Sequence, residues 1–411
     1  MSKKHWAIFT DNSSKKSSFI QSILKGVSPQ GFEQLKDSKG YLFSKRVLEK
    51  LIDEEDRHDT KIINLDRTQS LKSMSSGEQK KALLSHLISL SPDYLILDNP
   101  FDNLDFESQQ RLKEELEEVQ YSVQLIFLLS RRKDILPFCN HFAKLDGSSL
   151  IFLDEYEKSS QAGTRTILSG KIPAPPYSFD YDEEVLIQLN NVSVKYLDQP
   201  VLKNINWTIR KGDFWELKGK NGSGKTTILS MITGENPKGY GQDLHIFGHK
   251  KGSGESVWEL KKKIGYFTPS ITDKFTGYHS VENMLISGLT DSIGLYVRPT
   301  EIQSRLAKEW LQLIHMWDLR NHLFHDLSLG QKRLVMCARA MIKHPPLLIL
   351  DEPTASLDDA SAALFVSLVN KFAEASETTI IFVSHRIEPG LTPDYTYQLN
   401  LSPTGSTGTI L

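Results

Sequence analysis

FWELKGKNGSGKTTILSMIT, residues 214 to 233, is the stretch on which the fold turns. Phe214 to Leu217 is strand-like and the segment from Thr226 is helix-like. Between them lies Gly219-x-x-x-x-Gly224-Lys225-Thr226, the phosphate-binding loop pattern. Glycines let backbone N–H groups turn inward around phosphate oxygens, at a helix N-terminus whose dipole favours anions. Asn221, Gly222, Ser223 and Thr227 complete the expected cradle. Lys225 would reach the β- and γ-phosphates, and the Thr226 hydroxyl would ligate Mg²⁺.

Downstream, LLILDEP (Leu347 to Pro353) is an apolar run closed by two acids, 126 positions from Lys225 to Asp351. It predicts a buried parallel strand. Asp351 suits a water-mediated Mg²⁺ contact and Glu352 suits polarising an attacking water. Taken alone, the same pattern also describes a strand capped by solvated charges. A second buried strand, TTIIFVS, ends at His385, either a surface residue or a sensor of the γ-phosphate; its order after the carboxylate strand favours the sensor. Upstream, Tyr196 ends LIQLNNVSVKY and is either a strand-core tyrosine or a platform on which adenine stacks.

The first half of the chain repeats this order in eroded form: TDNSSKKSS from Thr10, MSSGEQK from Met74, YLILDNP from Tyr94, NLD at 103–105 and IFLLSR ending at Arg131. Ser75 and Ser328, Asp98 and Asp351, and Asp105 and Asp358 are each 253 positions apart, and Arg131 and His385 are 254 apart. Lys16 and Lys225 are only 209 apart, so the first copy is about 44 residues shorter between its first two motifs. Nothing before Trp6 matches the strand-like stretch that precedes Trp215. The fold class expected is therefore α/β, with two phosphate-loop units in tandem, the N-terminal one reduced: 1–156, a connecting segment 157–184, and 185–411. Pro173, Pro175 and Pro176 give that segment the character of a surface linker, an edge arm packed on one unit being the other reading.

Taken together, these motifs resemble the ATP-binding cassette (ABC) superfamily, with Leu327 to Gln331 looking like its signature loop. Gly239 to Tyr266 and SGLTDSIGLY (Ser287 to Tyr296) look like the ModF branch of tandem-cassette proteins. The resemblance implies a head-to-tail pair in which each ATP is held by one cassette's phosphate loop and closed over by the other's signature. Residue by residue, it implies one complete site, where Lys225, Thr226, Asp351, Glu352 and His385 face Ser75 and Gly77. In the other, Ser13 and Lys15 replace loop glycines, Asn99 replaces the carboxylate and Arg131 the histidine, so that site is expected not to hydrolyse ATP. Transporter cassettes usually carry a glutamine shortly after the strand corresponding to Ile264 to Tyr266; here FTPS follows, which weakens the case for coupling to a membrane permease subunit.

The chain has 411 residues, 39% hydrophobic and 24% charged, enough for a sizeable core in each of two domains. Lys plus Arg total 49 against 51 Asp plus Glu, so no global electrostatic footprint for nucleic acid exists, which also counts against the ribosome as runner-up partner. Cys139 and Cys337 form no metal-ligand spacing and fit a reducing compartment. No run reaches the roughly 20 apolar residues of a membrane helix. The expectation is a cytoplasmic ATPase using Mg²⁺, peripheral at the membrane's inner face if a permease is its partner, and working through intramolecular cassette pairing or as a homodimer.

Overall fold

The structure, a computed structural model, describes residues 3–12, 14–27, 29–58, 63, 70–153, 168–177, 179, 183–254, 256–275, 277–385 and 387–411. The chain divides into two compact units, each built on a six-stranded sheet.

In the first unit, β1 (Trp6–Thr10), β2 (Gly40–Phe43), β3 (Tyr94–Asp98), β4 (Gln124–Leu129), β5 (His141–Asp146) and β6 (Ser149–Leu153) take the order β2-β3-β4-β1-β5-β6. All neighbours are parallel except β5 and β6. In the second, β9 (Phe214–Gly219), β12 (Ile264–Phe267), β13 (Leu347–Asp351), β14 (Thr379–Val383), β15 (Tyr395–Asn400) and β16 (Thr407–Ile410) repeat that order as β12-β13-β14-β9-β15-β16. Here too the last pair alone is antiparallel. A four-stranded antiparallel sheet is added in this unit: β7 (Val185–Tyr196), β8 (Gln199–Arg210), β10 (Asp243–Ile246) and β11 (His249–Lys250), in the order β11-β10-β7-β8. Two of its strands fall within the stretch that the first copy lacks.

The near-continuous apolar strands follow from burial on both faces, the rule for parallel sheets. In β13, Leu348 and Leu350 point into a core shared with the helices α9 (Glu301–Leu313), α10 (Leu329–Met341) and α11 (Asp359–Ala375). Leu347 and Ile349 point the other way, into a core shared with the antiparallel sheet and α5 (Lys225–Ile232). The first unit alternates likewise, Leu95 and Leu97 on one face and Tyr94 and Ile96 on the other.

The strand register corrects one sequence alignment. Asp98 pairs with Leu128 and Asp351 with Val383, an offset of 255 on the second strand, not 254. Position 130, not 131, therefore corresponds to His385. The helix between β3 and β4, α4 (Phe106–Val119), is shorter than α11, and counting along the chain missed how the shortfall is shared out. Of the expected linker, 157–167, 178 and 180–182 lie outside the described residues. Leu168 is buried in the second unit's core and the Pro173 carbonyl lies 2.8 Å from His344 Nε2, so the described part of the segment packs on the second unit as an arm.

Trp310 is fully buried between His344 and Phe372, and its indole N–H has no hydrogen-bond partner among the described residues. Trp310→Ala is expected to cost about 3–5 kcal/mol of stability in urea unfolding. Trp310→Phe should cost far less, because no hydrogen bond is lost with the ring nitrogen.

Candidate nucleotide site

The loop from Gly219 to Gly224 leaves β9 and enters α5. Gly222 (φ +77°) and Gly224 (φ +92°) are left-handed, and a Cβ on Gly224 would lie 2.5 Å from Leu202 Cδ2. Conformation and space thus both require glycine there. The Lys225 ammonium donates to the carbonyls of Gly219 at 2.8 Å and Lys220 at 3.1 Å, which holds it inside the loop. Ser223 is wholly buried, and its hydroxyl has no hydrogen-bond partner among the described residues. A buried donor of that kind beside an ammonium and a helix N-terminus fits an anion. Thr226 is exposed at the start of the helix, Asn221 and Thr227 are half-buried, and Tyr196 is half-exposed at the end of β7.

The chain leaves β13 through Glu352, whose φ of +49° is unusual for a residue with a long side chain. Its amide donates to the Val383 carbonyl at 2.9 Å, and its carboxylate meets His385 Nε2. Burial works to raise the Glu352 pKa, but the His385 hydrogen bond and charge, with Lys225 and Arg333, outweigh it and hold the carboxyl below its ordinary value. Asp351 goes the other way, pushed up to about 6 by burial and then by the Glu352 charge, against the pull of Lys225 and His385. Two adjacent acids thus have opposite proton affinities. The Thr226 hydroxyl and the Asp351 carboxylate are the hard oxygen donors that Mg²⁺ prefers.

Three neighbours escaped the sequence reading. The Tyr266 hydroxyl is 3.5 Å from Asp351 Oδ2, and burial followed by the Asp351 charge pushes its pKa upward. The buried Arg333 donates to the Pro353 carbonyl at 3.0 Å. Asn236 bonds the Tyr196 hydroxyl at 2.7 Å. Tyr266 and Arg333 stand inside quoted motifs, IGY and LSLGQKR, but neither motif indicates which side chain turns toward the acids.

The first unit holds the same positions differently. Lys15, where Gly224 would be, has φ −81°, so the left-handed turn is gone. The Ser14 amide donates to the Asp11 carbonyl as the Ser223 amide does to Lys220, but the amides of Lys15 and Lys16 donate to the carbonyls of Gly147 and Ser14, the Lys15 bond being 2.7 Å. Lys16 Nζ is 3.1 Å from Asp98 Oδ1. Asn99 repeats the positive φ (+44°), but its side chain exchanges two hydrogen bonds with Ser130, at 3.0 and 2.9 Å. Ser130, not Arg131, is therefore the counterpart of His385. Ser13 lies outside the described residues. Ser75 and Ser328 each cap a helix, α3 (Ser76–Ser89) and α10, with a reciprocal capping box to Glu78 and Gln331. Gly77 sits where a Cβ would come within 2.7 Å of Ser108 Oγ.

Residues 202–355 match the ABC transporter family. The chain is 37% identical over 332 residues to the ABC transporter ATP-binding protein ModF of Escherichia coli, covering 77% of this chain and 67% of that one. The chain is a ModF-like member of the ABC family. It is thus an ATP-binding protein with the P-loop fold. An uncharacterised ABC transporter ATP-binding protein of Schizosaccharomyces pombe is 29% identical, over 77% of this chain and 66% of its own. The chain spans about two thirds of the length of these relatives. Among solved structures, ribosome-bound archaeal Pelota and ABCE1 aligns with TM-score 0.67 at 15% identity, over 99% of this chain and 74% of that one. At that identity the likeness is one of fold. No helix among the described residues is long and apolar enough to cross a membrane.

Asp351 titrates near 6 in the folded protein against 3.8 in the unfolded chain, so the folded state keeps a proton that the unfolded state loses between those values. This contribution makes stability fall as pH rises through that window and leaves it lowered above. Asp351→Asn should therefore stabilise the nucleotide-free protein by about 2–3 kcal/mol at pH 8 and by less than about 1 kcal/mol at pH 4, read by urea unfolding at both values.

Proposed function

We propose that this protein is a Mg²⁺-dependent ATPase with one hydrolysing site, carried by the second unit. The observation that carries the reading is the contrast at one strand exit: Glu352 held on His385 in the second unit, Asn99 held on Ser130 in the first. Asn99 has no basic oxygen with which to take a proton from water; Glu352 does, and its lowered pKa keeps it ionised.

In the proposed reaction the loop amides and the Lys225 ammonium bind and orient the β- and γ-phosphates. Glu352 accepts the proton of the attacking water as the bond to the γ-phosphorus forms and the bond to the β,γ-bridging oxygen breaks, giving ADP and phosphate. His385 orients Glu352 and stands at the γ-phosphate. When bound, Mg²⁺ neutralises phosphate charge, and Thr226 and Asp351 would hold it. Tyr196 would stack on adenine. The first unit, whose loop amides are engaged with its own carbonyls, would serve through its signature, Ser75 and Gly77, and would bind nucleotide weakly or not at all.

Glu352→Gln is expected to abolish phosphate release while ATP still binds; unchanged turnover would remove Glu352 from the mechanism. Ser75→Arg and Ser328→Arg each delete one helix cap, at about 1 kcal/mol. Turnover should nonetheless fall far more in Ser75→Arg. The reverse ranking would point to two C-terminal cassettes pairing between chains. The partner is read by capturing the Mg-ATP-loaded Glu352→Gln protein from cells with their membranes. We read hydrolysis as energising or regulating a transport system, the role that ModF's designation carries; recovery of an integral permease would support that role even though FTPS stands where transporter cassettes carry a glutamine. Co-sedimenting ribosomes would favour a ribosome-associated factor, and soluble partners alone an ATP-gated binding protein.

A further inference from the structure

Beside the apolar core that the added antiparallel sheet shares with the phosphate-loop helix, one polar side chain bridges the tip of the sheet to that helix. Asn236 lies just beyond α5, and its amide nitrogen donates to the Tyr196 hydroxyl at 2.7 Å and to the Ser230 hydroxyl, on α5 itself, at 3.1 Å. Its side-chain oxygen accepts from the Lys238 amide at 3.0 Å, and its own amide donates to the Ser230 carbonyl at 3.0 Å. Asn236 is therefore fixed at four points. The Lys238 ammonium lies 5.6 Å from the centre of the Tyr196 ring, a cation–π contact that fixes where the ring lies.

Tyr196 needs such help. It ends β7 next to Leu197, which is 92% exposed and has φ +53°, and its own ring is half-exposed. A tyrosine at a hairpin tip has rotamer freedom that must be lost before it can serve as a stacking platform. From these contacts we propose that Asn236 is a positioning residue for the nucleotide: it ties the Tyr196 ring to the helix that begins at Lys225, and so sets the distance between the base platform and the phosphate cradle. This inference rests on the reading of Tyr196 as the adenine platform. Asn236 acts through Tyr196 and touches neither the reacting phosphate nor the water.

The test is a double-mutant cycle in the full-length protein, with ATP and inorganic tripolyphosphate as the two probes. Tyr196→Phe keeps the ring and removes the hydroxyl; Asn236→Ala removes the partner. Each should weaken ATP by about fivefold, the worth of one hydrogen bond. The double variant should be no weaker than either single one. Tripolyphosphate, which has no base, should bind all three variants as it binds the parent. ATP affinity unchanged in Tyr196→Phe, with Tyr196→Ala still weakened, would overturn the role of Asn236 and leave base stacking standing. Full affinity in Tyr196→Ala would remove the platform itself, and the inference with it. A parallel loss of tripolyphosphate in Asn236→Ala, or additive losses in the double variant, would assign Asn236 to the integrity of the loop and overturn the proposal.

Discussion

Both units depend on how the chain gets out of one buried strand, β3 in the first and β13 in the second. At that point the backbone turns left-handed, at Asn99 and at Glu352, and the turned amide donates to a carbonyl of the adjacent strand, Leu128 or Val383. The bond ends the strand and aims the next side chain across the sheet's carboxyl edge. What it meets there is set by the neighbouring strand, Ser130 in one unit and His385 in the other. For a non-glycine residue this backbone conformation costs on the order of 1–2 kcal/mol. Both units have it, so the geometry of the exit is the same whether the side chain it carries is an amide or a carboxylate.

The same separation holds at the helix starts. Ser75 and Ser328 each receive an amide and have their own amide capped in return, which is enough to explain both serines without any ligand. A helix N-terminus so built still gathers partial positive charge in front of it. The first unit thus has the same capped helix start, while its loop at Lys15 is tied to the β5–β6 turn by the bond to the Gly147 carbonyl.

Much of this was legible in the sequence, for identifiable reasons. The phosphate loop and the LLILD strand are local patterns whose residue types are dictated by backbone geometry and by burial on two faces, and both stand where the motifs put them. The constant spacing of 253 linked Ser75 to Ser328 and Asp98 to Asp351 because the intervening helix and strand are alike in both units. It failed one strand later, since α4 and α11 differ in length and a count along the chain does not register which neighbour a strand pairs with; hence Arg131 was matched where Ser130 belongs. Tyr266, Arg333 and Asn236 were not legible at all, because each acts through the direction of one side chain across elements distant in sequence.

The left-handed exit also bears on reversibility. Asparagine tolerates that conformation better than glutamate, since its short amide can bond locally. In the first unit it is also satisfied in both directions by Ser130. The arrangement there is a relaxed one. Restoring a carboxylate at position 99 would reintroduce conformational strain, break two hydrogen bonds and set a second negative charge beside Asp98, while the loop glycines and the histidine would still be missing. The asymmetry between the two units is therefore one that no single substitution at position 99 removes.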